Sequence, residues 1–332
     1  MRAISYRRFG PAAEVLELGE LPDPRPGPGE LLVRVHASGV NPSDVKTRAG
    51  LRGTIPFPRI VPHNDGAGIV EAAGEGVDPA RVGQRVWLYN VNRSPDGMSQ
   101  GAIGTAAELV AVPAAQAVPL PEGTGFVEGA CLGVPAMTAH RAVFADGAPA
   151  GKSVLVTGGA GAVGYYAVQF ARLAGARVFA TVSSAEKAAH ARDAGAAAAI
   201  DYKREDVAAR LLELTGGEGV DRIVDVDFGA NLEVGQRVLR PGGVIASYAS
   251  MAAPRPAFDY YGFMFKNAVF RFVFVYAMDE AAKAAAARDI TALLEQGKLR
   301  HLVAGSFALE ETAAAHEAVE SGKAIGNIVV IP

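Results

Sequence analysis

One stretch, Val154–Val182, constrains the fold more than any other. It reads VLVTGGAGAVGYYAVQFARLAGARVFATV. The apolar run Val154-Leu155-Val156 has the character of a buried parallel strand, and Gly159-Ala160-Gly161-Ala162-Val163-Gly164 follows as a complete GxGxxG. Apolar residues at Val163, Ala167, Phe170, Ala171 and Ala174 then keep helical spacing until Gly175, and Arg177–Val182 reads as a second strand. Strand, glycine turn, helix and strand in this order are the setting in which the glycines mark a dinucleotide site. Gly159 permits the tight turn, Gly161 lets backbone N–H groups approach a pyrophosphate, and Gly164 lets the helix pack on the strand. With Ala162 and Val163 completing the turn, the positive end of the helix dipole faces the anion.

The end of the second strand selects the dinucleotide. A site for NAD carries an acid about 20 residues on, which holds the ribose 2′-hydroxyl. Here the strand ends Thr181-Val182-Ser183-Ser184, with no acid. Hydroxyls and N–H groups at a helix start suit a phosphate, Lys187 lies one turn into that helix, and Tyr202 follows the third strand as a further contact. The expected cofactor is NADPH. Glu186 is read as a helix N-terminal acid favoured by the dipole.

The chain has 332 residues, half of them apolar, enough for one large or two medium domains. A net charge of −3 and the lack of any Lys/Arg-rich run argue against nucleic acid as the main partner. One cysteine, Cys131, allows neither a disulfide framework nor a cysteine-rich metal site. No run of 18 apolar residues is present, and MRAISYRRFG has no secretory apolar core, so a cytoplasmic protein is expected. The GKS at Gly151–Ser153 is no P-loop: Asp146 stands where the first glycine belongs, and the segment precedes a strand.

The first 120 residues read as β. Strands are expected at Leu31–Ser38, Ala67–Ala73, Gln84–Leu88 and Ala107–Val112, broken by Pro and Gly as in an antiparallel barrel. From Pro121–Glu128 helices alternate with strands at Val154–Thr157, Arg177–Val182, Ala198–Asp201, Arg222–Val226, Gly243–Tyr248 and Val269–Tyr276, which predicts a doubly wound parallel sheet. Helices at Asp279–Gln296 and Leu309–Ser321 and a strand at Asn327–Ile331 close the chain. The fold class is α/β, with domains expected at 1–125 with 277–332, and at 126–276.

A β-rich module ahead of a glycine-turn nucleotide fold, with a C-terminal return, resembles the medium-chain dehydrogenase/reductase superfamily over essentially the whole chain. More narrowly it resembles the zinc-independent, zeta-crystallin-like quinone oxidoreductases. The matching segments are Gly39-Val40-Asn41-Pro42-Ser43-Asp44, Asp65-Gly66-Ala67-Gly68-Ile69-Val70, the run Ala130–Ala139 and the turn Gly159–Gly164. The resemblance implies a GroES-like barrel joined to a Rossmann domain. It also implies metal-free hydride transfer from NADPH to a quinone or related electron-poor acceptor. Asn41, Asp44 and Thr138 then surround the nicotinamide end, Asn41 hydrogen-bonding the acceptor oxygen, and the expected cofactor set takes in Asn231, Tyr248, Val273, Phe274 and Asn327 as well. An enone or enoyl double-bond reductase and an NADPH-binding protein with negligible turnover are the competing functions.

Zinc members of the superfamily carry Cys, His and Cys at positions that correspond here to Asn41, Asn64 and Cys131. One thiolate and two neutral amides are a poor zinc set, so no metal is expected. Cys131 is read as a small buried hydrophobe and His63 as a polar loop residue. Where quinone reductases often carry tyrosines after the Asn-x-x-Asp motif, this chain has Lys46 and Arg52. Lys46 is the candidate proton or charge donor, and Tyr89 and Tyr248 are the candidate replacements for the missing phenols. The last nucleotide-fold strand, Ala268–Tyr276, is apolar on both faces apart from Arg271. Placed at the sheet edge it calls for a cover, and a homodimer near 70 kDa, twice the 34.3 kDa chain, is expected through residues 268–276.

Overall fold

The computed structural model describes every residue except 52 and 53. The chain divides into two compact units, Met1–Met137 with Tyr276–Pro332, and Thr138–Val275.

In the first unit β1 (Arg2–Ser5) and β2 (Glu17–Glu20) form an antiparallel pair. The larger sheet is built on β3 (Glu30–Val40), β4 (Asp65–Ala73), β5 (Arg85–Leu88), β6 (Leu109–Pro113) and β7 (Ala117–Pro119), with the C-terminal strands β14 (Val303–Ala308) and β15 (Asn327–Ile331). Its order is β14-β15-β3-β4-β5-β7, and β6 pairs with β3. Alternate residues Leu31, Val33 and Val35 of β3 meet Val70, Val86, Leu88, Val110 and Val112 in one core, as a pleat with one buried face requires. The four strands anticipated in this region are present, with every end within two residues of the one expected.

Three strands carried no usable sequence pattern. β2 is exposed along its length, β7 is three residues long, and β14 reads VAGSFA and owes its form to parallel pairing with β15. The helix expected at Leu309–Ser321 is a 3₁₀ turn, Leu309–Glu311, followed by a helix Thr312–Glu320. The chain enters the second unit at Thr138, not at 126. The short helix Phe126–Gly129 packs against the barrel, where a side chain on Gly129 would meet Ala67 at 2.8 Å and Leu120 at 2.9 Å.

The second unit holds six parallel strands: β8 (Ser153–Val156), β9 (Arg177–Val182), β10 (Ala198–Asp201), β11 (Val220–Asp225), β12 (Leu239–Ser247) and β13 (Val269–Phe272). Their order, β10-β9-β8-β11-β12-β13, is that of a dinucleotide fold, and it reverses between β8 and β11. Leu155, Phe179, Ile200, Ile223 and Ile245, one from each of five neighbouring strands, line one core with helix residues Leu211 and Leu232. The last strand departs from expectation. β13 lies at the edge but stops at Phe272. Val273 donates its N–H to the Ser247 carbonyl at 2.8 Å, and the chain then winds into a 3₁₀ turn at Val275–Ala277.

Candidate active site

The first unit contributes a buried polar cluster at the start of the helix Pro42–Arg48. Asn41 is the N-cap in extended conformation, Pro42 supplies the φ a first helical turn needs, and the Asp44 carboxylate reaches back to accept the Asn41 N–H at 2.9 Å. The local sequence Asn-Pro-Ser-Asp therefore builds its own helix start. Tertiary structure adds the rest. The Asn41 amide donates to Asp65 at 2.7 Å, the Asn64 amide donates to Asp44 at 2.7 Å, and the Asp65 carboxylate accepts the Val134 N–H. All four side chains are buried. Burial pushes the Asp44 carboxyl up to about 6, against the pull of its hydrogen bonds from Asn41 and Asn64. Asp65 is raised well above the carboxylate range by burial and by the charge of Asp44. Two carboxyls so placed share less than two negative charges near neutrality.

This cluster does not fit zinc. The Asn41 and Asn64 amides are engaged as donors to carboxylates. The Cys131 thiol donates to the Val127 carbonyl at 3.2 Å, and burial pushes it upward, away from the thiolate a metal needs. Among the described residues no group of three His, Cys, Asp or Glu side chains is arranged to hold a metal ion. His63 lies in the loop ahead of β4, as expected, but is fully buried there at φ 78°, its ring hydrogen-bonded to Ser38 at 2.8 Å and to His316 at 2.9 Å.

One consequence of the cluster is measurable. The folded-state value of Asp44, about 6, lies above its ordinary 3.8. Its contribution to stability is therefore fully present below pH 3.8 and is lost as the pH rises through 6. Asp44→Asn removes this dependence, and the fold accommodates it because the Asn64 Oδ1 has no hydrogen-bond partner and accepts the new amide once Asn64 flips. In urea unfolding at a series of pH values, the variant should gain about 2–3 kcal/mol over wild type between pH 4 and 6.5. Parallel pH profiles of the two proteins would remove the assignment.

Beside Asp44, the Ser43 hydroxyl lies 2.6 Å from the Tyr276 hydroxyl. The Arg93 guanidinium stacks 3.8 Å above the centre of the Tyr276 ring. The Asn90 amide donates to the Tyr276 carbonyl at 3.1 Å. Sequence reasoning missed Tyr276, which stood at the end of an expected strand, and the 233-residue separation from Ser43 left no local signal. Of the residues singled out instead, Lys46 is half-buried on the same helix, and Arg52 lies outside the described residues. Tyr89 is buried with its hydroxyl donating to the Ala115 carbonyl at 3.1 Å, and burial pushes its phenol up to about 12. Tyr248 belongs to the second unit.

The second unit contributes the glycine turn, placed after β8 at the point where the strand order reverses. The Gly158 N–H donates to the Thr181 hydroxyl and that of Gly159 to the Thr181 carbonyl, fastening the turn to β9. Gly161 is the exposed N-cap of the helix Ala162–Leu173, whose first backbone bond is Tyr165 N–H to Gly161. The N–H groups of Ala162, Val163 and Gly164 therefore precede the helical ladder. A side chain at Gly161 would meet only the Gly158 carbonyl, at 3.2 Å; one at Gly164 would collide with that same carbonyl, and one at Gly159 would meet Ala180 at 2.6 Å. Gly159 and Gly164 thus serve packing, while Gly161 keeps open space above three N–H groups. These residues fit a pyrophosphate.

At the end of β9, Ser184 caps the helix Ala185–Asp193, its hydroxyl accepting the Lys187 N–H at 3.2 Å. Ser183, Ser184 and Lys187 all fall within the cap and first turn of this helix, beside the N–H groups of Ala185 and Glu186. Tyr202 is exposed just beyond β10, and its N–H is bound by Val182 at the end of β9. Thr138 is buried at the first residue of this unit. Asn231 donates to the buried Asp225 at 2.7 Å, a carboxylate that also accepts from Thr157 at 2.9 Å. Val273 is buried and Phe274 exposed after β13. Asn327 lies in the first unit, where its amide donates to the Leu302 carbonyl at 3.1 Å.

Residues 27–122 match the alcohol dehydrogenase GroES-like domain family, and residues 162–290 match the zinc-binding dehydrogenase family. The quinone oxidoreductase of Rattus norvegicus is 31% identical over 339 residues, covering 100% of this chain and 98% of its own. That of Pseudomonas aeruginosa is 30% identical, covering 100% and 99%. The Escherichia coli quinone oxidoreductase, solved in complex with NADPH, matches with a TM-score of 0.86 at 26% identity, covering 100% of both chains. A structure of AibC matches with a TM-score of 0.88 at 28% identity, covering 100% and 96%.

Proposed function

The chain belongs to the quinone oxidoreductase family of the medium-chain dehydrogenase/reductase superfamily, and from that membership we propose that it reduces a quinone or a related electron-poor acceptor with NADPH. The observation that carries the reading in this chain is the glycine turn with its open face at Gly161 and three N–H groups ahead of the helical ladder. The bound NADPH supplies a hydride. The protein binds and orients. Ala162, Val163 and Gly164 hold the pyrophosphate through backbone N–H groups, and Ser183, Ser184 and Lys187 hold the 2′-phosphate. Asn41, with one amide hydrogen engaged by Asp65, keeps a second for the acceptor oxygen. Asp44 fixes the loop that presents it. With amide donors where zinc ligands would stand, no step passes through a metal.

The test is NADPH oxidation by the purified protein, in chelator, against a panel of quinones and enones. Turnover with quinones is expected. Loss of enone absorbance with no quinone activity would make it a double-bond reductase, and tight NADPH binding without oxidation by any acceptor would make it a binding protein.

The chain is further proposed to dimerise through the edge of the second unit's sheet. Val273 points its N–H inward to Ser247, so by strand alternation Phe270 and Phe272 point theirs outward. Val269, Phe272 and Phe274 leave apolar surface at this edge, Phe272 with 70% of its surface exposed. An uncovered apolar edge strand is a pairing hazard, and a symmetry mate answers it. A proline at Val273 would break pairing inside the sheet, so the informative variant is Phe272→Lys. Sedimentation equilibrium should give about twice 34.3 kDa for wild type and a single chain mass for Phe272→Lys at micromolar concentration. A monomeric wild type would return the edge to solvent.

Among the described residues no helix is long and apolar enough to cross a membrane. A single cysteine suits the reducing cytoplasm, the proposed compartment.

A further inference from the structure

Reducing a quinone by hydride transfer leaves negative charge on an acceptor oxygen, and that oxygen must gain a proton. The tyrosines that many quinone reductases carry after the Asn-x-x-Asp motif are absent here, replaced by Lys46 and Arg52. Two residues on from Asn41, the Ser43 hydroxyl is paired with that of Tyr276. We propose that Ser43 is the catalytic proton donor to the reduced acceptor and that Tyr276, stacked under Arg93, is the positioning residue that replenishes it. The inference rests on the reading of this chain as an NADPH-dependent reductase.

Four features support it. Ser43 is two residues from Asn41, on the first turn of the same helix, and is half-buried rather than sealed in the core. Its Oγ is 2.6 Å from the Tyr276 Oη, a short hydroxyl pair in which either oxygen can donate. Tyr276 is itself buried, with 2% of its surface exposed, and its hydroxyl is paired with the less buried Ser43. The Arg93 guanidinium 3.8 Å over the ring places a fixed positive charge where a phenolate would form. Among the described residues, the charged groups acting on Tyr276 include Arg93, which favours the phenolate, and Asp44 and Asp65, which with burial oppose it. The phenol is thus pushed upward and stays protonated at working pH, so that a proton is held ready beside Ser43.

The balance closes. The Ser43 O–H bond breaks as an O–H bond forms on the acceptor oxygen. The Ser43 oxygen takes the Tyr276 proton. The negative charge then rests on the Tyr276 phenolate beneath Arg93 until a proton from water restores it. Each turnover consumes one hydride and one solvent proton.

Steady-state kinetics of wild type, Ser43→Ala, Ser43→Thr and Tyr276→Phe with one quinone, over a range of pH, test this. Tyr276→Phe keeps the ring and its stack with Arg93 and loses only the hydroxyl. Both Ser43→Ala and Tyr276→Phe should lower kcat by about tenfold to 100-fold with the KM for NADPH unchanged. Their kcat should fall with rising pH where that of wild type is flat, since protons must then come from solvent, and Ser43→Thr should recover most of the rate. If Tyr276→Phe fails to fold, Ser43→Ala and its threonine rescue decide alone. Wild-type kcat and pH profile in Ser43→Ala would overturn the proposal, as would a matching pH slope in Lys46→Met with none in Ser43→Ala. A wild-type enzyme with no turnover on any acceptor fails the functional reading and takes this one with it.

Discussion

Gly161→Val is expected to abolish measurable NADPH binding in a protein that still folds. The valine Cβ meets only the Gly158 carbonyl, at 3.2 Å, and the backbone at Gly161, φ −79° and ψ 168°, is one that valine adopts readily. Loss of the small N-cap costs of order 1 kcal/mol, which a domain of this size tolerates. The branched side chain nevertheless fills the space above the Ala162, Val163 and Gly164 N–H groups. Charge-assisted hydrogen bonds contribute about 1.5–3 kcal/mol each, so losing two lowers affinity by about 100-fold or more. Gly164→Val is the contrast, because its Cβ would collide with the Gly158 carbonyl and the helix could not pack. Fluorescence titration with NADPH, beside thermal unfolding of both variants, separates the two roles. Retained affinity in folded Gly161→Val would place the phosphate site elsewhere.

Lys187→Ala should cost NADPH affinity and leave NADH affinity unchanged. At the end of β9 there is no acid to hold a ribose 2′-hydroxyl; Ser183, the Ser184 cap and Lys187 stand there instead. Wild type should therefore bind NADPH at least about tenfold tighter than NADH. Removing the ammonium loses a charge-assisted phosphate contact of about 1.5–3 kcal/mol, a fall of about tenfold to 150-fold. The Ser184 cap is untouched, since it is the Lys187 backbone that Ser184 binds, so helix and fold are unaffected. Equal wild-type affinities for the two cofactors, or an equal loss for both in the variant, would contradict the assignment.

The glycine turn, β9, β10 and β15 were legible because each is specified locally. Arg177–Val182, Ala198–Asp201 and Asn327–Ile331 match their expected bounds residue for residue. The turn needs small residues at fixed spacing, and apolar runs between Gly and Pro have few alternatives to a buried strand. The Asn41–Asp44 helix start is local in the same way, with cap and carboxylate three residues apart, although the sequence marked these residues only through the family resemblance. β14 was not, because VAGSFA becomes a strand only when β15 is beside it. The expected strand at Val269–Tyr276 was overlong, because an apolar run signals burial without saying where pairing ends.

Within the site the division is the same. The sequence by itself determined a dinucleotide turn, the amides at Asn41 and Asn64, and the absence of an acid after β9, all matters of residue type at short spacing. Only the tertiary structure decided what those residues touch: Asn64 against Asp44, Asn41 against Asp65, His63 against His316, Ser43 against Tyr276. These contacts join positions 20 to 253 residues apart. A hydrogen bond depends on ångströms in space, and chain separation of that length leaves no periodicity from which the pairing could be read.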